Sequence, residues 1–425
     1  MTYQGEFRTL DAYMAEVGRE AKTAAAALRT ATPEAKRDAI TAMAGELRAG
    51  AESIIVANAG DLSAGEAKGL SAAMLDRLKL DADRIEAIAR SLDAIAAQND
   101  PVGQVRAEWQ QPNGLRFQTV TVPIGVVGMI YESRPNVTAD AAALCVKSGN
   151  AVILRGGSEA VHSNRSIAAT IQKGLARAGL PQSAVQLLAT QDRDAVGHML
   201  RGLDGNIDLI IPRGGKGLVA RVQSEARVPV LAHLDGLNTT YVHASADLDM
   251  ALDVIANAKM RRTGICGATE TVLVDEAVAA AFLPRLSERL SSLGCELRGD
   301  GRARQIADMS VASAEDFDTE HLAAILNVAV VDTLDAALAH IADHGSGHTD
   351  AIIATDIEVA SRFLAEVDSA IVMHNASTQF ADGGEFGFGA EIGIATGRLH
   401  ARGPVGAQHL VTTKHLVRGD GTVRA

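Results

Sequence analysis

Short apolar segments alternate with helical segments along most of the chain after Pro123, and this alternation restricts the fold more than any other feature. Apolar runs at 125–130, 151–154, 185–188 and 207–211 are each followed by a stretch with apolar residues at helical spacing. None of these runs alternates apolar with polar residues, which favours parallel strands covered by helices on both faces. Ligands of such a sheet bind beyond the carboxyl ends of its strands.

A second series of the same kind follows the first. Its predicted strands lie at 239–242, 271–274, 328–331 and 350–354, and its predicted helices at 247–258, 277–293, 334–342 and 359–366. Because 425 residues are too many for one core, two α/β domains are expected.

The segments outside the two series have simpler patterns. Helices are predicted at 10–28, 34–57 and 71–98, and a strand rich in β-branched residues at 115–122 indicates a hairpin arm. The tail from Gly403 is short and β-rich. We expect it to pair with another strand edge, such as that of a neighbouring subunit.

Charge and composition exclude several classes of protein. An excess of 52 acidic over 40 basic residues disfavours a nucleic-acid-binding surface. The chain begins without the features of a signal peptide, and no apolar run reaches membrane-spanning length, so neither export nor a membrane span is expected. The three cysteines have no paired spacing, which argues against disulfides and a cysteine-based zinc site and fits a reducing cytoplasm.

The segment 340–348 contains three histidines and is expected to form a polar turn. Its glycines break the helix that a His-Glu-x-x-His zinc motif requires, so no metal site is expected.

Cys266 is the candidate nucleophile. It follows Lys259, Arg261 and Arg262 and lies between two glycines. Neighbouring cations stabilise the thiolate, which is the attacking form, and glycines let a substrate carbonyl approach the backbone. This segment alone fits a small buried residue equally well. Cys145 and Cys295 lack such neighbours and are expected to be structural.

Two glycine-containing turns follow predicted strands. The first contains Arg155, Gly156, Gly157 and Ser158, and the second contains Arg213, Gly214, Gly215 and Lys216. Free N–H groups at such turns bind phosphate, although many glycines after strands form ordinary tight turns. Two turns in one sheet, each with a cation, favour a dinucleotide site, and the cations favour NADP(H).

Several segments, in order, carry a family resemblance. Residues 123–138 read PIGVVGMIYESRPNVT, followed by RGGSE at 155–159, IPRGG at 211–215, RTGIC at 262–266, EFGFGAEIGI at 385–394 and LHARGP at 399–404. Together they resemble the gamma-glutamyl phosphate reductase (glutamate-5-semialdehyde dehydrogenase) family of the aldehyde dehydrogenase superfamily. The likeness covers essentially the whole chain.

The resemblance implies an aldehyde-dehydrogenase-like α/β fold with two parallel-sheet domains and a small β oligomerisation arm. The cofactor-binding domain would span 1–232, interrupted by the arm strand at about 112–122. The catalytic domain would span 233–384, and 385–425 would form a return segment and the C-terminal arm.

The implied reaction is NADPH-dependent reduction of L-glutamyl 5-phosphate to L-glutamate 5-semialdehyde and phosphate, through a thioacyl intermediate on Cys266. This is the second step of proline biosynthesis. Arg155 would hold the adenosine ribose, Glu320 the nicotinamide ribose, and the Arg213 to Gly215 turn the pyrophosphate side.

The resemblance also implies substrate contacts. Asn136 would be the side-chain oxyanion donor, although an ungapped comparison places Arg134 there, and Arg134 would otherwise bind a substrate carboxylate or phosphate. Arg262 and Thr263 are further substrate-binding candidates.

One departure from the superfamily favours the reductive reaction. The segment 233–238 reads HLDGLN where hydrolytic members have a water-activating glutamate in Glu-Leu-Gly-Gly. Asp235 is then either a base or a turn residue, and His233 a turn histidine satisfied by its neighbours.

A homo-oligomer and an association with glutamate 5-kinase complete what the resemblance implies. The alternatives are a nonphosphorylating aldehyde dehydrogenase, a catalytically silent scaffold for that kinase, and a cysteine hydrolase.

Overall fold

In the computed structural model, which describes residues 9–424, helices occupy most of residues 10–97, and strands alternate with helices after them. The α-helices are α1 Leu10–Leu28, α2 Pro33–Ala49, α3 Ala51–Ala67, α4 Ala72–Leu78, α5 Ala82–Ala97, α6 Asn136–Lys147, α7 Val161–Arg177, α8 Asp194–Leu200, α9 Lys216–Glu225, α10 Leu248–Met260, α11 Glu276–Ser292, α12 Ala303–Ile306, α13 Leu334–His344 and α14 Ile357–Glu366. Within residues 9–424, no helix combines the length and apolarity needed to cross a membrane.

The strands are β1 Val105–Gln110, β2 Arg116–Pro123, β3 Val126–Tyr131, β4 Ala151–Gly156, β5 Val185–Leu187, β6 Leu209–Arg213, β7 Asn238–Val242, β8 Thr269–Asp275, β9 Glu296–Gly299, β10 Ser310–Val311, β11 Ile325–Val331, β12 Thr349–Ile353, β13 Ile371–His374, β14 Ile394–Ala395, β15 Gly403–Pro404 and β16 Val411–Arg418. The pattern of apolar runs therefore located eight of them, and the β-branched segment and the tail located β2 and β16. It missed β1, whose six residues are exposed, and the strands of two to four residues β9, β10, β13, β14 and β15.

Two of the predicted helices were too long. The helix expected at 34–57 is divided at Gly50, which caps the end of α2 and the start of α3. The helix expected at 71–98 is divided before Asp81, whose side chain accepts a hydrogen bond from the Arg84 backbone N–H and so begins α5. Helical spacing alone does not detect such caps.

The chain forms two compact units. The first unit runs to Ala232 and also includes Gly387–Gly393 and a last segment that begins at Val405. It contains a four-stranded parallel sheet in the order β5-β4-β3-β6 and a three-stranded antiparallel sheet in the order β1-β2-β16. The tail strand β16 thus pairs with β2 of its own chain, which confirms the expectation that the tail pairs with another strand edge. Pairing with a neighbouring subunit stays a prediction.

The second unit comprises His233–Phe386 and Ile394–Pro404. Its seven-stranded parallel sheet has the order β10-β9-β11-β8-β7-β12-β13. Val272 and Val274 of β8 pack in one apolar cluster with α10 and α11, whereas Leu273 packs in another with α13 and α14. Helices therefore cover both faces, as the uninterrupted apolar strands predict.

Candidate active site

Cys266 lies in the loop between α10 and β8, at the amino end of β8. It is half-buried. The Gln379 side-chain amide fixes the start of this loop, because its Nε2 donates to the carbonyls of Ala258 at 2.8 Å and Arg262 at 3.2 Å. The thiol is therefore carried by a positioned segment.

Asn238 connects the Cys266 loop to two neighbouring strands. It is the first residue of β7 and is fully buried. Its Nδ2 donates to the carbonyls of Cys266 at 2.6 Å and Ala268 at 2.9 Å, and its Oδ1 accepts from the Thr349 N–H at 3.1 Å. Because β8, β7 and β12 are adjacent in the sheet, one amide side chain fixes the amino ends of all three strands.

Gly236 packs directly against the Cys266 backbone. A Cβ at this position would lie 2.2 Å from the Cys266 carbonyl oxygen and 2.8 Å from its Cα. Van der Waals contact requires more than 3 Å, so only glycine fits here without displacing the loop.

Two histidines lie beside Cys266. One ligating atom from each of His233, His348 and Cys266 falls within 4.8 Å of the other two, and the imidazole centroids are 5.4 Å apart. His348 is fully buried, and it immediately precedes β12. The expectation of a polar turn at 340–348 is wrong for 340–344, which are the last residues of α13, whereas 345–348 form the bend before β12.

The three cations that precede Cys266 differ in their exposure to solvent. Arg261 and Arg262 are exposed, but Lys259 is fully buried and its Nζ lies 2.7 Å from Glu270 Oε2. Burial raises the pKa of the Glu270 carboxyl to about 7, while the ammonium partner lowers it. The Lys259 charge therefore compensates a buried carboxylate.

Glu320 and Thr263 are half-buried residues of the second unit. Glu320 lies two residues before Leu322, whose N–H is 3.4 Å from Glu270 Oε1. The negative charge of Glu320 helps to raise the pKa of Glu270.

The two predicted cofactor turns lie in the first unit, at the carboxyl ends of β4 and β6, which flank β3 in the sheet. The guanidinium of Arg155 donates to the carbonyls of Gly156 at 2.9 Å and Gln191 at 3.3 Å. Its buried Nε hydrogen-bonds to no atom of the described part of the chain, and burial lowers the pKa of this guanidinium.

The first turn differs from its prediction in one respect. The N–H groups of His162 and Ser163, at the start of α7, donate to the buried carboxylate of Asp61 at 3.1 and 2.7 Å. These amides are therefore not free for phosphate, because a carboxylate from α3 already occupies the helix N-terminus. Ser158 and Glu159 instead line a cavity of about 480 Å³. Gly156 is buried against Tyr131 and Asn164.

The second turn also holds a carboxylate. The Gly215 N–H donates to Glu132 Oε2 at 2.9 Å, and a Cβ on Gly214 would lie 2.5 Å from the same oxygen. Arg213 pairs with Glu391 at 3.0 Å. The turn can bind an anion through its backbone, whereas the Arg213 charge is balanced within the unit.

Asn136 and Arg134 follow β3, where the sheet rule places ligand-binding residues. Asn136 begins α6, and its Nδ2 donates to Asp140 at 2.9 Å, which fixes the amide orientation. Burial raises the pKa of the Asp140 carboxyl to about 6. Arg134 is half-buried in the preceding loop.

Sequence reasoning missed three residues that shape the site, namely Asn238, Gln379 and His348. Each acts through contacts between segments far apart in the chain. The remaining cysteines are as predicted, since Cys145 and Cys295 are buried and burial raises the pKa of both thiols.

Comparisons with known proteins identify the family and the fold. Residues 9–319 match the Aldehyde dehydrogenase family. The chain is 61% identical to gamma-glutamyl phosphate reductase of Caulobacter vibrioides, over 97% of this chain and 100% of the relative. It is 62% identical to the enzyme of that name from Novosphingobium aromaticivorans, over 96% of each chain. The solved structure of gamma-glutamyl phosphate reductase from Thermotoga maritima superimposes with a TM-score of 0.94 at 42% identity, covering 97% of this chain and 100% of that one.

Proposed function

Since this chain belongs to the aldehyde dehydrogenase family, among the gamma-glutamyl phosphate reductases, we propose that it reduces L-glutamyl 5-phosphate to L-glutamate 5-semialdehyde with Cys266 as its nucleophile. The chain is an oxidoreductase of proline biosynthesis. The single observation that carries the assignment of the nucleophile is the loop of Cys266, which Asn238, Gly236 and Gln379 hold in place.

The proposed covalent intermediates form on the Cys266 sulfur. The Sγ thiolate forms a bond to the acyl carbon of the substrate, and the carbon–oxygen bond to phosphate breaks, so that phosphate leaves with the electron pair. The acyl group is then a thioester. After reduction of its carbonyl carbon, the resulting thiohemiacetal loses the thiolate and releases the aldehyde. Each substrate molecule therefore takes up two electrons and releases one phosphate.

The family uses a nicotinamide cofactor, and we propose NADPH as the physiological donor. When bound, NADPH supplies the hydride that reduces the thioester carbon. The buried Nε of Arg155, which hydrogen-bonds to no atom of the described chain, fits a ribose or phosphate oxygen of the cofactor. Gly156, Gly157 and Ser158 would continue that contact.

The other predicted cofactor contacts are the Arg213 to Gly215 turn and Glu320. The Gly215 N–H already donates to the exposed carboxylate of Glu132, so this backbone position can donate to an anionic oxygen. We propose that the pyrophosphate displaces Glu132 there, and that Glu320 holds the nicotinamide ribose.

Substrate orientation is assigned to residues after β3 and beside Cys266. We propose Asn136 as the side-chain oxyanion donor, because Asp140 holds its amide in one orientation and an oriented donor needs no reorganisation during the reaction. Arg134, Arg262 and Thr263 are proposed to bind the substrate carboxylate and phosphate, the arginines bidentately.

The residues before β7 favour transfer to phosphate over hydrolysis. Asp235 has one carbon less than the glutamate of hydrolytic members, and Gly236 follows it against the Cys266 backbone. Without an activated water, the thioester persists until reduction or phosphate attack.

The test runs the reaction backward, following reduction of NADP+ by glutamate semialdehyde with and without inorganic phosphate. Reduction that requires phosphate supports the proposal. Equal rates without phosphate would transfer the assignment to a nonphosphorylating aldehyde dehydrogenase. Cys266→Ala should abolish turnover but keep cofactor binding, and turnover by the isolated wild-type chain excludes a silent scaffold.

We also propose that the arm pairs with a second copy of the chain. All six residues of β1 are exposed, and Trp109 stacks on Phe117 with ring centroids 5.2 Å apart. Exposed aromatic residues on an edge strand favour association. Light scattering should give a mass above 44.3 kDa, which Trp109→Lys should lower towards that of one chain.

A further inference from the structure

We propose that Cys266, His233 and His348, called here the His2Cys cluster, bind Zn²⁺ reversibly and thereby mask the nucleophile. The inhibitory consequence rests on the proposed role of Cys266, whereas metal binding itself does not. The three ligating atoms lie within 4.8 Å of one another, a cluster of two imidazoles and one thiol in one site.

The distances are close to those of a zinc site. Zinc bonds of about 2.3 Å to sulfur and about 2.0 Å to nitrogen place tetrahedral ligands roughly 3.3–3.6 Å apart. The cluster therefore has to contract by about 1 Å at its widest. Cys266 and His233 are half-buried, so an ion can reach them from solvent.

Both imidazoles are oriented for metal binding. His233 Nδ1 lies 3.1 Å from the Ile394 carbonyl oxygen, which only accepts, so this nitrogen carries the proton. His348 Nδ1 lies 2.8 Å from the Thr349 hydroxyl. The opposite nitrogen, Nε2, is then the ligand atom of His233. The Thr349 hydroxyl can accept from His348 Nδ1, so the Nε2 of His348 can bind in the same way, and a hydrogen bond on Nδ1 is the usual support of a metal-bound histidine.

The backbone that carries the ligands is held in place. Asn238 hydrogen-bonds to the Cys266 carbonyl and to the Thr349 N–H, beside His348, and the Leu237 N–H donates to Ser346 Oγ at 3.0 Å. Little backbone order is lost on binding, which favours affinity.

The chemistry of the ligands selects the metal. One thiolate and two imidazoles prefer Zn²⁺ over Mg²⁺ or Ca²⁺, which prefer oxygen ligands. Three protein ligands leave a fourth position for water, as in exchangeable zinc sites. A sulfur bonded to zinc has its attacking electron pair engaged, so occupancy and turnover exclude each other.

The test titrates the metal-free full chain with Co²⁺, a spectroscopic substitute for Zn²⁺. We expect thiolate-to-cobalt absorption at one equivalent that Zn²⁺ abolishes, and protection of Cys266 from alkylation. His233→Ala should weaken binding roughly 100-fold or more, since even outer partners of metal ligands contribute 10–100-fold. His348→Gln should do the same, and Cys266→Ala should remove the sulfur absorption.

His344→Ala is the matched control, because His340 and His344 form a second imidazole pair with centroids 4.5 Å apart and no thiol. It should leave the sulfur absorption unchanged. Cobalt binding with unchanged affinity in His233→Ala, or no sulfur absorption in the wild type, overturns the zinc site. If Cys266→Ala retained turnover while the wild-type chain bound cobalt through sulfur, Cys266 would not be the nucleophile, but the metal site would be supported.

Discussion

Replacing Gly236 by alanine tests whether the position of the Cys266 loop determines the rate. The added Cβ would lie 2.2 Å from the Cys266 carbonyl oxygen and 2.8 Å from its carbonyl carbon and Cα. Relieving these overlaps to ordinary contact requires a displacement of about 1 Å. The neighbouring atom is backbone, so the clash cannot be relieved by a side-chain rotation.

A displacement of about 1 Å at a reacting group costs roughly 10²-fold in rate. We therefore expect Gly236→Ala to lower kcat/KM for glutamate semialdehyde by about two orders of magnitude. The loss should lie mainly in kcat, because the substrate-binding candidate Arg134 is on another segment and the atoms that the Cβ meets belong to Cys266 and not to Arg262 or Thr263.

The matched control is Gly301→Ala in the same unit, where a Cβ meets no atom within 4 Å. It should keep wild-type kinetics, and both variants should give a wild-type circular dichroism spectrum. A folded Gly236→Ala enzyme with wild-type kcat would refute the inference that this contact positions the nucleophile.

Three further substitutions test separate parts of the molecule. Arg155→Ala should raise KM for NADPH more than KM for the aldehyde, measured by steady-state kinetics, because its buried Nε fits a cofactor oxygen. Lys259→Met should lower the free energy of unfolding by about 3 kcal/mol at pH 8, since it leaves the buried Glu270 carboxylate without its cation. This deficit should be smaller at pH 6, where Glu270, whose pKa is raised to about 7, takes up a proton. Asp140→Asn should stabilise the fold above pH 6 by about 1–2 kcal/mol, read from urea denaturation, because burial raises the pKa of Asp140 to about 6 and ionisation in the folded state is costly.

The raised pKa of Asp140 sets the pH range over which its ionisation lowers the free energy of unfolding. Below about pH 4 the carboxyl is protonated in both folded and unfolded chains, so wild type and variant differ little through this group. Between about pH 4 and pH 6 the unfolded chain ionises first, and wild-type stability falls. A stability difference that did not change over this window would contradict a raised pKa. Equal KM changes for both substrates in Arg155→Ala would likewise contradict a cofactor role.

The sequence predicted the two α/β series because buried parallel strands and their helices have distinct periods. Its glycines and cations made Cys266 a candidate nucleophile but fitted a buried cysteine equally well, and the family resemblance favoured the nucleophile. The sequence did not predict Gly50 or Asp81 as helix boundaries, since capping depends on single residues. It also did not predict the buried ion pair of Lys259, because its partner Glu270 is eleven residues away and only the fold brings the two together.

The rule that ligands bind at the carboxyl ends of parallel strands agrees with the candidate residues of the first unit and not with those of the second. Arg134, Arg155 and Gly214 are at or beyond the carboxyl ends of β3, β4 and β6. Cys266, by contrast, precedes β8, and His348 precedes β12.

This reversal explains why the sequence did not predict that His233 and His348 lie beside Cys266. His348 is 82 positions from Cys266 in the sequence, yet β7 separates their strands by one place in the sheet. Asn238, the first residue of β7, hydrogen-bonds to both segments and fixes their positions relative to each other. A buried amide that binds two backbone segments is costly to replace, because each lost partner leaves a desolvated polar group. The same contacts that orient the thiol therefore also keep two imidazoles beside it.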